Sequence, residues 1–324
     1  MFVTGCHRSG TSLVAAVLAA LLPEDRPEQV LLAPALDNPG GFHESAALVR
    51  ANEALLGRLG AAWDHPPLLP VNWCDSEVWP AVLEQRPLFR QYSLQRAWVD
   101  KDPRLAITAP AFQHILLRRP GLVVVLREPL AVARSLRSRE GWSLQQGLCV
   151  WWIYNLHLAT QIQDSDLLLR YDQILASLPV ADHRFAVRAF LETQAGVEVS
   201  EAGLAAALQS QCRLDWSRST QMDQSFTMQS GDRHTDLLSF CQNCYSGLES
   251  CLPSESISRF RDTFSGLPVE VITALSTQGW QGWPNQHVSL KEYYLQGHIA
   301  EILRSKSWRL MAPVRFMSNL LQVR

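Results

Sequence analysis

Lysine is the scarcest charged residue of this chain: of its 29 basic side chains only Lys101, Lys291 and Lys306 are lysines, and the rest are arginine. An excess of positive charge is missing as well. Thirty-one acidic residues bring the formal net charge to −2, which gives no ground for nucleic acid or an anionic membrane as the main partner. Long hydrophobic runs are lacking: the longest, 13–22 and 148–153, fall short of the ~20 residues a membrane-spanning helix needs, so no integral membrane segment is expected. The first run follows a polar glycine loop rather than a basic segment, and no small-residue cleavage site comes after it. It reads as a helix, not a signal peptide, and no targeting segment is expected ahead of a chain that begins on its first strand. Seven scattered cysteines, an odd number, argue against a disulfide framework and fit a reducing, cytoplasmic setting. Cys241 and Cys244 form one CxxC, but the second pair that a zinc site needs is absent, so no metal is expected.

What is present is an apolar fraction of 47% in 324 residues, enough for one large α/β domain or two smaller ones. Hydrophobic patterning predicts strands at 2–4, 97–100, 121–126 and 167–171. Helices are expected between them at 11–22, 43–59, 77–94, 105–119 (interrupted at Pro110), 129–139 and 142–163, with a short one at 172–178. The run Gly121-Leu-Val-Val-Val-Leu126 is aliphatic throughout, as in a parallel strand buried on both faces. After 178 only helices are expected, at 182–195, 201–211, 232–249, 254–276 and 288–304. The fold class expected from this alternation is α/β, a doubly wound parallel sheet flanked by helices, with a mainly helical C-terminal half. The expected organisation is one domain over 1–285, with its nucleotide-binding core at 1–180 and a helical part at 181–285, then a C-terminal helix and basic tail at 286–324.

The chain is organised around Gly5-Cys-His-Arg-Ser-Gly10, a loop between the first strand and a helix opening on Thr11-Ser12. Such a loop gathers backbone N–H groups and the positive end of a helix dipole, which makes an anion site. Its G-x-x-x-x-G spacing is that of a nucleotide P-loop, but the lysine that follows in ATP and GTP hydrolases is missing, and Arg8 sits inside the loop instead. Two further blocks, 101–104 and Arg127, end predicted strands in basic residues. In a parallel sheet these ends share one edge, so Arg8, Lys101, Arg104 and Arg127 are expected around one crevice suited to a polyanionic ligand.

The loop His7-Arg-Ser-Gly-Thr-Ser12 resembles the 5′-phosphosulfate loop of sulfotransferases that use 3′-phosphoadenosine 5′-phosphosulfate (PAPS), with His7 where the family usually has proline. Arg127 and Ser135, eight residues apart across a strand end and the next helix, resemble the pair with which that family holds the 3′-phosphate. Asp100-Lys-Asp-Pro-Arg104 and Asn38-Pro-Gly-Gly-Phe-His-Glu44 are similar to segments of tyrosyl-protein and bacterial sulfotransferases, and Arg170-Tyr-Asp-Gln-Ile-Leu175 to the family's Tyr-Glu-x-Leu. The resemblance covers 1–178; beyond it, Ser230-Gly-Asp-Arg-His234, with Arg233, is a weak stand-in for the segment that closes on the nucleotide.

The resemblance implies a fold, an α/β P-loop NTPase-like parallel sheet flanked by helices, together with a donor and a set of roles. PAPS would be the sulfuryl donor, with no metal, held by Gly5, His7, Arg8, Ser9, Gly10, Thr11, Ser12, Arg127, Ser135 and Tyr171. Glu44 would be the general base and Lys101, with Arg8, the charge stabiliser; His43 is the competing base. The partner would be a hydroxyl-bearing acceptor. Ser305-Lys-Ser-Trp-Arg-Leu-Met-Ala-Pro313 resembles a stretch of bacterial glycosyltransferases, which points to a carbohydrate, and Trp63, Trp73 and Trp142 fall near the expected site loops. Oligomeric state is not legible. Two alternatives stay open: a kinase-like nucleotide-dependent phosphotransferase, against which the missing P-loop lysine argues, and a non-catalytic nucleotide-binding module, against which Glu44 and Lys101 together argue.

Overall fold

The computed structural model describes residues 1–23, 31–32, 43–88, 92, 97–116, 118–212, 234–249, 251 and 253–277. The segment 38–42 before His43, Arg233, the linker at 278–286, the helix expected at 288–304 and the tail at 305–313 lie outside them. The described residues fall in one compact unit, Met1–Gly282.

Four parallel strands form the sheet: β1 (Phe2–Gly5), β2 (Asp100–Lys101), β3 (Leu122–Leu126) and β4 (Leu167–Arg170), in the order β2-β1-β3-β4. Val3 stands between Lys101 and Val123, and Val125 between Gly5 and Leu169. Every residue of β1 and β3 is buried, and the continuous aliphatic sequence of β3 is that of a strand covered on both faces. The first crossover, through α1 (Thr11–Leu21), α2 (Ala46–Arg58) and α3 (Trp79–Glu84), leads to β2 on one side of β1. The second, through α4 (Leu105–Gln113), leads to β3 on the other side. The connections thus run to opposite sides of the sheet from β1 and β3, and the crevice outside the carboxyl ends of those two strands is where such sheets take ligands.

One face of the sheet packs on α1, with α8 (Ala181–Ala195) and α9 (Glu201–Gln211) completing a core that includes Val3, Leu18, Val123, Val125, Leu169, Leu191, Leu204 and Leu208. Across the sheet, α5 (Pro129–Glu140) lies against α6 (Leu144–Gln161), which is buried along nearly its whole length. A short helix, α7 (Tyr171–Leu175), follows β4, and α10 (His234–Glu249), α11 (Pro253–Thr263) and α12 (Val269–Thr277) complete the described chain.

Four local expectations shift. The second strand is not 97–100 but Asp100–Lys101, because Trp98 instead turns edge-on to the Phe2 ring at 5.0 Å, and Pro103, which has no N–H to donate, follows two residues after the strand. Pro110 does not interrupt its helix, which ends at Gln113 rather than 119: the Ala106 carbonyl that its missing N–H would have bonded accepts from the Gln161 side-chain amide. The helix expected at 254–276 is two, parted at Gly266 and Pro268, where the Gly266 carbonyl accepts from Trp152 Nε1 at 2.9 Å. The helix expected to begin at His43 begins at Ala46, with Ser45 as its N-cap accepting from the Leu48 N–H at 3.2 Å. His43 and Glu44 therefore stand before the helix rather than in its first turn.

Candidate active site

The loop at the end of β1 turns on two glycines. At Gly5 a Cβ would sit 2.4 Å from the Val125 carbonyl oxygen, so the loop can leave β1 against β3 only without a side chain. Gly10 combines φ of 89° with the Tyr171 ring directly above it, 2.1 Å from where a Cβ would lie. Arg8 lies between them, also in the left-handed region at φ 67°. Its Nε donates to Ser135 Oγ at 2.9 Å, and its carbonyl accepts from Arg127 Nη1 at 2.8 Å. The Arg127 guanidinium lies 4.4 Å from the centre of the Tyr171 ring. Four of the expected ligand residues, Arg8, Arg127, Ser135 and Tyr171, are thus drawn together at the β1–β3 crevice. Thr11 and Ser12 open α1.

Two polar atoms of this loop are buried without a partner, His7 Nε2 and Ser9 Oγ. Burial, and then the cations Arg104, Lys101, Arg139 and Arg8, hold the His7 imidazole well below its ordinary pKa of 6.5, so it is neutral at pH 7. Buried polar side-chain atoms without a hydrogen-bond partner are uncommon in folded proteins, and two of them fall within this one loop.

Glu44 and Lys101 meet on the β2 side of β1, carboxylate against ammonium, both side chains almost fully buried. Burial pushes the Glu44 carboxyl above its ordinary range despite the opposing pull of Lys101. The Lys101 side chain is 3% exposed, and the carboxylate it pairs with is Glu44. The block 101–104 is anchored to β1, since the Thr4 hydroxyl donates to the Pro103 carbonyl at 3.2 Å and the Asp102 N–H to the Val3 carbonyl at 3.3 Å. Arg104 is at the same edge but is matched to carboxylates, Asp102 at 3.1 Å and Glu53 at 3.3 Å.

Several residues of this network escaped sequence reading. Asn52 donates to Asp102 and accepts from Thr108, joining α2 to α4 beneath the site. Asp100 receives hydrogen bonds from Ser45, Tyr92 and the Lys101 backbone. The only signal available was a polar residue on an apolar helix face in the case of Asn52; Tyr92 carried none. Among the three tryptophans expected near the site, Trp63 and Trp142 stack at 5.4 Å with 16° between planes, and Trp63 lies 4.5 Å from the His7 ring. Trp73 is buried elsewhere, donating to the Ile107 carbonyl at 3.1 Å. No three His, Cys, Asp or Glu side chains gather as metal ligands among the described residues, and no helix there is long and apolar enough to cross a membrane.

No protein-family model matches the chain, and no curated protein is similar to it. Among solved structures it is similar to the "Sulfotransferase Domain from the Synechococcus PCC 7002 Olefin Synthase", at 16% identity over 86% of this chain and 93% of that one, with a TM-score of 0.38. A likeness at that level leaves the function of this chain to be read from its own residues.

Proposed function

We propose that the chain is a sulfotransferase that moves the sulfuryl group of PAPS to the hydroxyl of a carbohydrate-containing acceptor. The observation that carries the reading is the meeting, around the end of β1, of an Arg8 loop tied to Ser135 and Arg127 with a buried Glu44–Lys101 pair. The residues fit such a donor: the loop has buried unsatisfied atoms at His7 and Ser9, and Gly10, having no side chain, lets the Tyr171 ring close against the loop. When bound, PAPS supplies an activated sulfuryl group, a leaving phosphate and a 3′-phosphate handle.

The loop from Gly5 to Ser12, with its N–H groups and Arg8, would hold the 5′ end, and Arg127, Ser135 and Tyr171 the 3′-phosphate. Glu44 accepts the acceptor's hydroxyl proton on its carboxylate; its raised pKa brings its basicity closer to neutral pH, where a general base works best. His43 is adjacent in sequence and is the second candidate for that role. Lys101 and Arg8 offset negative charge that builds as the group transfers. The stacked Trp63 and Trp142 beside His7 are the carbohydrate side of the reading, since aromatic faces suit the apolar faces of sugar rings. Seven free thiols suit the cytoplasm.

The test is a mass-spectrometric search for added sulfate, with the purified chain, PAPS and a panel of glycans, lipids and tyrosyl peptides. Sulfated glycans are expected, with activity surviving EDTA. Phosphate transfer with a strict need for magnesium would replace the reading with a kinase-like phosphotransferase. Tight binding of 3′-phosphoadenosine 5′-phosphate with no transfer to any acceptor would leave a nucleotide-binding module.

A further inference from the structure

We propose that Asp100 is a positioning residue that sets the spacing of Glu44 and Lys101; this rests on reading that pair as base and charge stabiliser. Asp100 is 2% exposed and lies at the start of β2, immediately before Lys101. Its Oδ1 accepts from two backbone amides, Ser45 N–H at 3.2 Å and Lys101 N–H at 2.8 Å. Its Oδ2 accepts from the Ser45 hydroxyl at 2.6 Å and from the Tyr92 hydroxyl. One carboxylate thus grips the amide that follows Glu44 and the amide of Lys101 itself.

That grip supplies something the sheet does not. Glu44 and Lys101 are 57 positions apart. The strand ladder pairs β2 only with β1, so it fixes Lys101 but not the segment carrying Glu44. Ser45 is also the N-cap of α2, so Asp100 locks the first turn of that helix to the end of β2 in the same contact. Four donors converge on two oxygens, which only a carboxylate can satisfy; an amide in its place would turn an NH2 toward two of them. Burial raises the pKa of Asp100, and the four hydrogen bonds that define the geometry oppose that rise.

Lys101 is one of three lysines, which makes it readable by amine chemistry without a known acceptor. The full chain would be acetylated briefly with acetic anhydride, and labelling at Lys101 followed by peptide mass, with Lys291 and Lys306 as internal references. Asp100→Asn is expected to raise Lys101 labelling by about tenfold or more, as local opening becomes easier when a buried acceptor is lost. Tyr92→Phe removes one donor and keeps the ring, and is expected to raise labelling by roughly two- to threefold, the share of a single hydrogen bond. Calorimetry with 3′-phosphoadenosine 5′-phosphate is expected to give affinities within about twofold of the parent in both variants, because Arg127 and Ser135 lie across β1 from the clamp. With an acceptor from the sulfation screen, kcat should fall in Asp100→Asn while donor affinity holds.

Unchanged Lys101 labelling in Asp100→Asn would overturn the proposal. Labelling that rises only together with lost nucleotide affinity would also overturn it, since that is general loosening; if Asp100→Asn does not fold, Tyr92→Phe carries the same two readouts. Should labelling behave as expected while no acceptor is ever sulfated, the sulfotransferase reading falls and the clamp on the pair stands.

Discussion

The two sides of β1 hold charged residues in opposite ways. On the β3 side, Arg8, Ser135, Arg127 and Tyr171 are joined by a few long-range contacts, and the loop beside them keeps His7 Nε2 and Ser9 Oγ unsatisfied. On the β2 side, Glu44, Lys101, Asp100, Asp102, Arg104 and Asn52 form a buried network in which each charge meets an opposite charge or several donors. A ligand site must leave bonding capacity for its ligand, whereas a base and its cation partner must be held in place before the ligand arrives. The proposed function assigns binding to the first region and positioning to the second, and that division can be tested.

Glu44→Gln probes the positioning side with the largest expected effect. Removing a general base typically lowers turnover by about a hundred- to ten-thousandfold, and here nucleotide affinity should be untouched, measured by steady-state kinetics beside calorimetry. The parent's rate should also lose activity in acid above the usual glutamate range of about 4.3, since burial raises the Glu44 pKa and protonation removes the base. Near-normal turnover in Glu44→Gln with an inactive His43→Ala would move the role one residue back.

Lys101→Ala should follow, lowering the rate by roughly ten- to a thousandfold, with Lys101→Arg recovering only part because the planar fork aims its donors differently. Because Lys101 is buried against Glu44, the same change should cost about 3–5 kcal/mol of stability by stranding the carboxylate, a loss that Glu44→Gln in the double variant should largely remove. Thermal unfolding of the single and double variants checks this; additive losses would mean the pair is not the contact that matters.

On the binding side, Arg127→Ala should weaken 3′-phosphoadenosine 5′-phosphate by roughly 2–4 kcal/mol and leave AMP nearly unchanged, read by calorimetry. Equal affinity of the parent chain for the two nucleotides would erase the distinction between the two sides.

The smallest effect lies below both. His157 on α6 donates from Nε2 to the Pro67 carbonyl at 2.7 Å, and burial lowers its pKa from 6.5 to about 4. The unfolded chain takes up that proton first, so stability present above pH 6.5 is lost as pH falls toward about 4, by at most roughly 3 kcal/mol. Chemical denaturation at several pH values should show this slope, and His157→Gln should flatten it without changing nucleotide affinity.

Much of this arrangement was legible in the residues alone. The glycine-bounded loop, the aliphatic run at 122–126 and the alternation of strands with helices determined a parallel sheet whose first strand ends in that loop, because local periodicity and glycine geometry are short-range properties. The eight-residue step from Arg127 to Ser135 was local in the same sense. What the sequence could not determine was which charges end up neutralised. Lys101 and Arg104 read as two crevice cations, and only the tertiary structure matched one to Glu44 and the other to Asp102 and Glu53. Asn52, Tyr92 and the four-donor grip of Asp100 were likewise invisible, since each depends on segments far apart in the chain. Pro110 shows the limit from the other direction: its local rule predicts a break, and a side chain 51 residues downstream of it supplies the missing donor. Periodicity is decided by neighbours in sequence, but charge pairing and polar satisfaction are decided by neighbours in space, and only packing sets those.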